Sequence, residues 1–242
     1  MIGSFFHAVI YAPLYNALVF LIGIMPGADV GLAIIALTII VRIILYPLSR
    51  SAIRTQIVMK KLVPEVEKIK DRNKDNKENE AREIFALYKE HNVSPFSGIG
   101  LMLLQIPVLI GLYLVFANGK WPIVDAKLLY SFVHTPAHLN MFFLGFMDMA
   151  AKHNIVLAVL AAATQAAYTR LSMGPRGEKT ATEASFSNDM AKSMDFQARF
   201  VLPAIIGVIS FTLASAAPLY WVTGNLFMIM QEYLSGRRFH GK

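Results

Sequence analysis

VGLAIIALTIIVRIILYPLSR, residues Val30 to Arg50, is an almost unbroken apolar run with an arginine near its centre. About 20 apolar residues in a helix cross the roughly 30 Å hydrocarbon core of a bilayer, so this run predicts a membrane-crossing helix. Arg42 follows Leu37, Ile39, Ile40 and Val41 and precedes Ile43, Ile44 and Leu45. A guanidinium near mid-membrane costs about 2.5–3.5 kcal/mol on insertion scales. That cost persists only where the charge meets water, a partner inside the bundle or a ligand. The run ends about eight residues past Arg42, roughly 12 Å of helix, which is far for its side chain to snorkel. No other crossing drawn from the sequence offers a well-placed Asp or Glu, so a buried ion pair is disfavoured. A polar cavity around Arg42 is the expectation.

The rest of the composition agrees with a membrane protein. Of 242 residues, 55% are hydrophobic and 16% charged, against about 25% charged in soluble domains, and the mean hydropathy is +0.49. The net charge of +7 raises the question of nucleic acid. However, apolar runs split the basic residues and no base-stacking pattern accompanies them, so they read as topology signals and membrane-surface contacts. There is no cysteine, hence no disulfide, thiolate nucleophile or lipid-modified N-terminal cysteine. The opening MIGSFFHAVI has neither the positive n-region nor the cleavage site of a secretory signal.

Outward from the Arg42 run, residues 1–28 hold an apolar stretch broken by His7, Tyr11, Pro13 and Asn16. It can cross the membrane or lie in the interface, and the interfacial helix is favoured. Residues 29–50 form the first core helix. Residues 51–97 differ in kind, with ten Lys/Arg and eight of the sixteen Asp/Glu falling before Phe96. Ile53, Ile57, Leu62, Val66 and Ile69, then Ala81, Ile84, Phe85 and Tyr88, recur at helical spacing around a polar turn, which predicts a helical hairpin. Pro64 kinks its first arm or marks a local start. Residues 98–117 are the second crossing and 155–171 a short third. The connection 118–154 between them should contain one short helix near Met141–Ala151. After a polar loop, 172–199, come two crossings, 200–217 and 218–235, joined tightly at Pro218, and a basic tail, 236–242. Placing the hairpin, the 172–199 loop and the tail in the cytoplasm, with the flanking Arg50 and Arg170, puts 19 Lys/Arg there against three outside, so the tail faces inward.

The crossings carry Thr38, Arg42, Gln105, Gln165, Tyr168, Tyr220, Trp221, Thr223, Asn225 and Gln231. Thr38 and Arg42 are one turn apart on one face. No acid–base dyad, nucleophile–base pair or metal cluster occurs among them, and the six histidines fall in loops or near termini, where solvation explains them. Mid-membrane Gln and Thr often serve as helix–helix glue worth about 0.6 kcal/mol. Gathered around Arg42 they line a wet, positive groove. Met59, Met173, Met190 and Met194 suit packing, or adaptable contact with varied apolar segments.

Three segments carry a resemblance. VRIILYPLSRSAIRTQIVMKKLVPEVEKIK, SPFSGIGLMLLQIPVLIGLYLVF and SAAPLYWVTGNLFMIMQEYL resemble, in order and spacing, the first core helix with its hairpin arm, the second core helix and the last helix of the YidC/Oxa1/Alb3 membrane protein insertases. The match is to the short bacterial form, without the large periplasmic domain, and Ser94 stands where the family usually has Asn. The resemblance implies an all-α membrane protein: a five-helix transmembrane core with a cytoplasmic hairpin and an N-terminal interfacial helix. It implies a hydrophilic groove whose residues match Arg42, Thr38, Gln105, Gln165, Tyr220 and Trp221. The implied role is an insertase and chaperone for nascent membrane proteins, alone or with the Sec translocon and ribosome, in the bacterial inner membrane and in contact with its lipids. No enzyme activity, cofactor, metal or direct nucleic-acid recognition is implied. The rival reading from another class is a small-anion transporter or channel that uses Arg42 as its binding charge. The lack of a two-fold internal repeat counts against it.

Overall fold

The computed structural model describes residues 2–74, 76–94, 97–118, 121–173, 193 and 195–236, side chains at 2, 97–105 and 118 excepted. Most of these residues are helical. In chain order the helices are α1 (Ile2–Phe6), α2 (Ala12–Ile24), α3 (Val30–Ile44), α4 (Tyr46–Lys61), α5 (Val63–Arg72), α6 (Lys77–Glu90), α7 (Ser97–Asn118), α8 (Ile155–Met173), α9 (Leu202–Thr212) and α10 (Ala216–Leu234). A π turn, His7–Tyr11, joins α1 to α2 without a break. By length and composition, Gly3–Ile24 and Ile155–Met173 can each cross a membrane; a third span results if α3 and α4 count as one broken helix. The contacts divide the chain into two compact units, Met1–Ile43 with Pro107–Lys242, and Ile44–Ile106.

In the first unit, one apolar core gathers α2, the first half of α3, the later part of α7 and the start of α10. Leu18, Ile22, Val30, Ile34, Leu37, Leu112, Val115, Leu219 and Tyr220 are all within it. His7, Pro13 and Asn16 do not shorten the N-terminal helix as their polarity suggests. Pro13 stands directly after the π turn His7–Tyr11, inside a stretch that stays helical through it from Gly3 to Ile24. Asn16 is buried and fully used: its Nδ2 donates to the carbonyls of Ala12 and Leu128, and its Oδ1 accepts from Tyr130 N. Tyr11 stacks on Tyr15, and Tyr15 abuts Trp121, whose indole donates to Val115 O.

A second assembly in the same unit packs α8 along both α9 and α10. Small residues allow it: a methyl at Gly207 of α9 would stand 3.1 Å from Ala162 Cβ, and close backbone approach is what holds helices together in lipid. The turn between α9 and α10 is at Leu213–Ser215, not at Pro218. Leu213 turns extended, and Pro218 lies inside the first turn of α10.

The connection 121–154 departs from expectation in one further way. No helix forms near Met141–Ala151; an antiparallel ribbon, β1 (Phe142–Phe143) and β2 (Met147–Asp148), stands there instead. Gly145, at φ +83°, turns it. Asn140 Oδ1 accepts from Phe142 N and Asp148 Oδ1 from Ala150 N, side-chain bonds that compete with a helix at both ends.

In the second unit, Leu62 alone separates α4 from α5, and Pro64 sits at the start of α5. Helices α5 and α6 meet across a turn in which Asn73 Nδ2 donates to Ile69 O and Asn76 caps α6 through Asn79 N. The 172–199 loop and the tail fall mostly outside the described residues.

Candidate functional site

Helix α3 starts on Asp29, whose Oδ1 accepts from Leu32 N, the usual N-cap arrangement. Three turns on, the helix delivers Arg42, and its guanidinium lies against α10. A methyl at Gly224 would stand 2.7 Å from Nη2, 3.3 Å from Nε and 3.4 Å from Cζ. Only glycine leaves room for that approach. The Nε donor is buried and has no hydrogen-bond partner among the described residues, and the phenols of Tyr220 and Tyr168 are the electrostatic neighbours of the charge. A buried donor without a partner is uncommon and costs about 1–3 kcal/mol.

Thr38, one turn back, is fully buried and donates to Ile34 O at 2.6 Å. Its hydroxyl therefore serves its own helix. Gln165 and Trp221 meet each other: Trp221 Nε1 donates to Gln165 Oε1 at 3.3 Å, and Gln165 Nε2 donates to Thr169 Oγ1. One turn further, Asn225 Nδ2 donates to Thr164 Oγ1. These bonds stitch α8 to α10. Tyr220 and Trp221 are neighbours in sequence yet part company, since successive helical residues point about 100° apart. Tyr220 joins the core with α2 and α3, while Trp221 packs on Ala161, Ile206 and Val222. Gln105 lies on α7, and its side chain is outside the described residues.

The structure thus brings Arg42 together with Gly224, Tyr220 and Tyr168, and joins Gln165 of α8 to Trp221, one turn before Gly224 on α10. Two residues escaped the sequence reading. Gly224 gave no signal, because glycine is frequent in membrane helices. Glu232 is fully buried in α10, an acid inside a crossing that the sequence reading did not name. It lies eight residues past Gly224, about 12 Å along the helix, so it is not placed to neutralise Arg42 where that side chain rests. Among the described residues no group of His, Cys, Asp or Glu could hold a metal ion. The arrangement suits reversible binding of a hydrogen-bond acceptor to a fixed charge in apolar surroundings.

The family model of the 60Kd inner membrane protein matches residues 21–242. A protein of Clostridium tetani named membrane protein insertase YidC is 36% identical over 210 residues, 87% of this chain and 83% of that protein. Its namesake in Clostridium perfringens is 32% identical over 208 residues, covering 86% and 78%. Membrane protein insertase MisCA of Bacillus subtilis is 30% identical over 215 residues, covering 87% and 71%. A match over most of the length, through the arginine helix and the tryptophan helix alike, means that the chain belongs to the 60Kd inner membrane protein family, the YidC/Oxa1 membrane protein insertases.

Proposed function

We propose that this chain inserts newly made membrane proteins, drawing short polar segments of each client into a groove centred on Arg42 while apolar segments leave sideways into lipid. One observation carries the role of the site. A guanidinium rests on Gly224 among apolar helices, its buried Nε donor unfilled among the described residues, in a chain of an insertase family. Hydrogen bonds to charged groups are roughly twice as strong as neutral ones. Away from water, an acidic or carbonyl-rich segment therefore gains most at that point. The remaining polar residues divide the work: Gln165 and Gln105 hydrate the groove, Thr38 shapes it from within its own helix, Trp221 meets the entering helix, and Tyr220 stands beside the charge of Arg42. No bond is made or broken, and the family is one of insertases rather than enzymes. A small-anion transporter built on the same arginine finds no support among relatives that are named insertases.

The architecture that goes with this role is a five-helix core of α3, α7, α8, α9 and α10, with α4–α6 as a cytoplasmic hairpin and the tail inside, in the bacterial inner membrane. The 19-to-3 distribution of Lys and Arg supports that orientation. Gly3–Ile24 lies along the outer interface. In support, Tyr15 and Asn16, at mid-helix, bond residues 125–130 of the outer connection, and Asp29, beyond the helix end, bonds Leu144 of the same connection. A helix that crossed would carry Tyr15 and Asn16 inward, away from that loop. The basic hairpin meets anionic lipid, nascent clients, the Sec translocon and the ribosome.

The deciding experiment is insertion of a single-spanning client with an acidic translocated tail into proteoliposomes. The wild type is expected to insert it, and Arg42→Ala, reconstituted to the same level, to do so several-fold less well. Equal insertion would remove the electrostatic role of Arg42. No insertion by either protein, with the client competent elsewhere, would overturn the insertase reading.

A further inference from the structure

The ribbon in the outer connection shows an apolar face to the outside of the protein. Phe142 is 51% exposed, Leu144 59% and Phe146 70%, and no charged residue occurs from Leu139 to Met147. The opposite side is committed inward, for Phe143 fills the space above Gly31 and joins the main core. The tip is also held at a conformational cost. Leu144 has φ +52°, a region leucine rarely adopts, and its amide is pinned by Asp29 Oδ2 at 2.8 Å. The Leu144 side chain is nonetheless 59% exposed.

Position decides what covers this face. The stems of the ribbon are bonded to the first residues of two apolar helices. Val30 N donates to Asn140 O and Asn140 N to Ala28 O at the start of α3, and Ala216 N donates to Met149 O at the start of α10. A few residues on, Ser215 N donates to Ala151 O, and Asn154 Nδ2 reaches Ser215 Oγ just before α8 begins. Three apolar helices therefore open at the level of the ribbon, where hydrocarbon gives way to headgroups. Phe and Leu on the apolar face of an interfacial element bed into that boundary.

We propose that Phe142, Leu144 and Phe146 bed in the headgroup–acyl boundary of the leaflet at this end of the helices and anchor the start of the Arg42 helix to the membrane surface. Asp29 is the coupling: one carboxylate oxygen caps α3 and the other holds the tip. The depth of Arg42 is then set from the surface inward, three turns below the cap.

The chain has no cysteine, so a nitroxide can be placed singly. In proteoliposomes, labels at Phe142→Cys, Leu144→Cys and Phe146→Cys are expected to collide several-fold more with oxygen, which concentrates in lipid, than with a water-soluble nickel chelate. A label at Thr135→Cys, exposed in the same connection, should show the reverse. Nickel dominating at all three ribbon sites would overturn the proposal, and so would protection from both reagents, which would mean a covering protein. The unsubstituted protein supplies an independent readout. A phospholipid with a photoactivated diazirine near its headgroup should label the peptide holding Phe142–Met147 several-fold above residues 134–138, and equal labelling of the two would sink the idea.

Discussion

At Gly224 one hydrogen atom decides where a charge sits. Gly224→Ala should raise intrinsic helix stability, since alanine is favoured over glycine by about 1 kcal/mol in a helix interior. The new methyl would meet the guanidinium of Arg42, the far end of a long side chain, which can swing aside at small cost. The expected result is a protein at least as heat-stable as wild type that loses several-fold in insertion of acidic-tailed clients and much less with neutral tails. Insertion and thermal unfolding measured on the same preparation check this, and unchanged insertion would deny that the seat on α10 matters. Asp29 gives the opposite signature. Asp29→Ala removes a helix cap worth about 1 kcal/mol and leaves Leu144 N without its acceptor at about 1–3 kcal/mol. A lower unfolding midpoint in detergent should follow, with Asp29→Asn falling between. Arg42 was legible in the sequence because a charge in an apolar run violates composition. Gly224 violates nothing, and its meaning exists only where two helices cross. Glu232 was as legible as Arg42, but it stands near the end of its run, where charged residues are ordinary.

At the scale of elements, periodicity located the long helices and misread short pieces. MFFLGFMDMAA, residues 141–151, is apolar and rich in Met and Ala, so it reads as a helix. Its fate is set instead by Asn140 and Asp148, whose side chains bond the backbone two residues on, and by a left-handed Gly145. Pro218 misled in a related way. A proline after an alanine run reads as a break, but in the first turn of a helix it is a start signal, and the break lies at Leu213. The ribbon is held to α3 by shape as well as by Asp29, because a methyl at Gly31 would run into the ring of Phe143. Gly31→Ala should therefore destabilise, by about 1–3 kcal/mol as overpacking usually does. Phe143→Ala alone should also destabilise, by leaving a void. The double variant should lose less than the sum of the two, since each change relieves the other. Unfolding midpoints of the four proteins complete the cycle, and simple additivity would show that the ring and the glycine do not bear on each other.

For the whole molecule the governing quantity is the sidedness of charge. Composition alone excluded a soluble domain, and the basic residues then divided 19 to 3 between the two sets of connections with the flanking Arg50 and Arg170, an imbalance that orients membrane helices during insertion. The hydrogen bonds give the same division an internal check. The starts of α3 and α10, the residues just before α8 and the middle of the N-terminal helix all tie to residues 121–154, so these lie at one end of the first unit whichever way it faces. A single cysteine in each set of connections therefore tests the direction. Lys89→Cys, exposed on α6, and His134→Cys, exposed in the connection, are suitable because the native chain offers no competing thiol. In intact spheroplasts a membrane-impermeant maleimide should modify position 134 and leave position 89 unmodified until the membrane is opened. The inverse pattern would put the basic hairpin outside, away from ribosomes and nascent chains. In that orientation Arg42 could not receive clients from the side on which they are made, so the orientation of the helices and the use of the arginine stand or fall together.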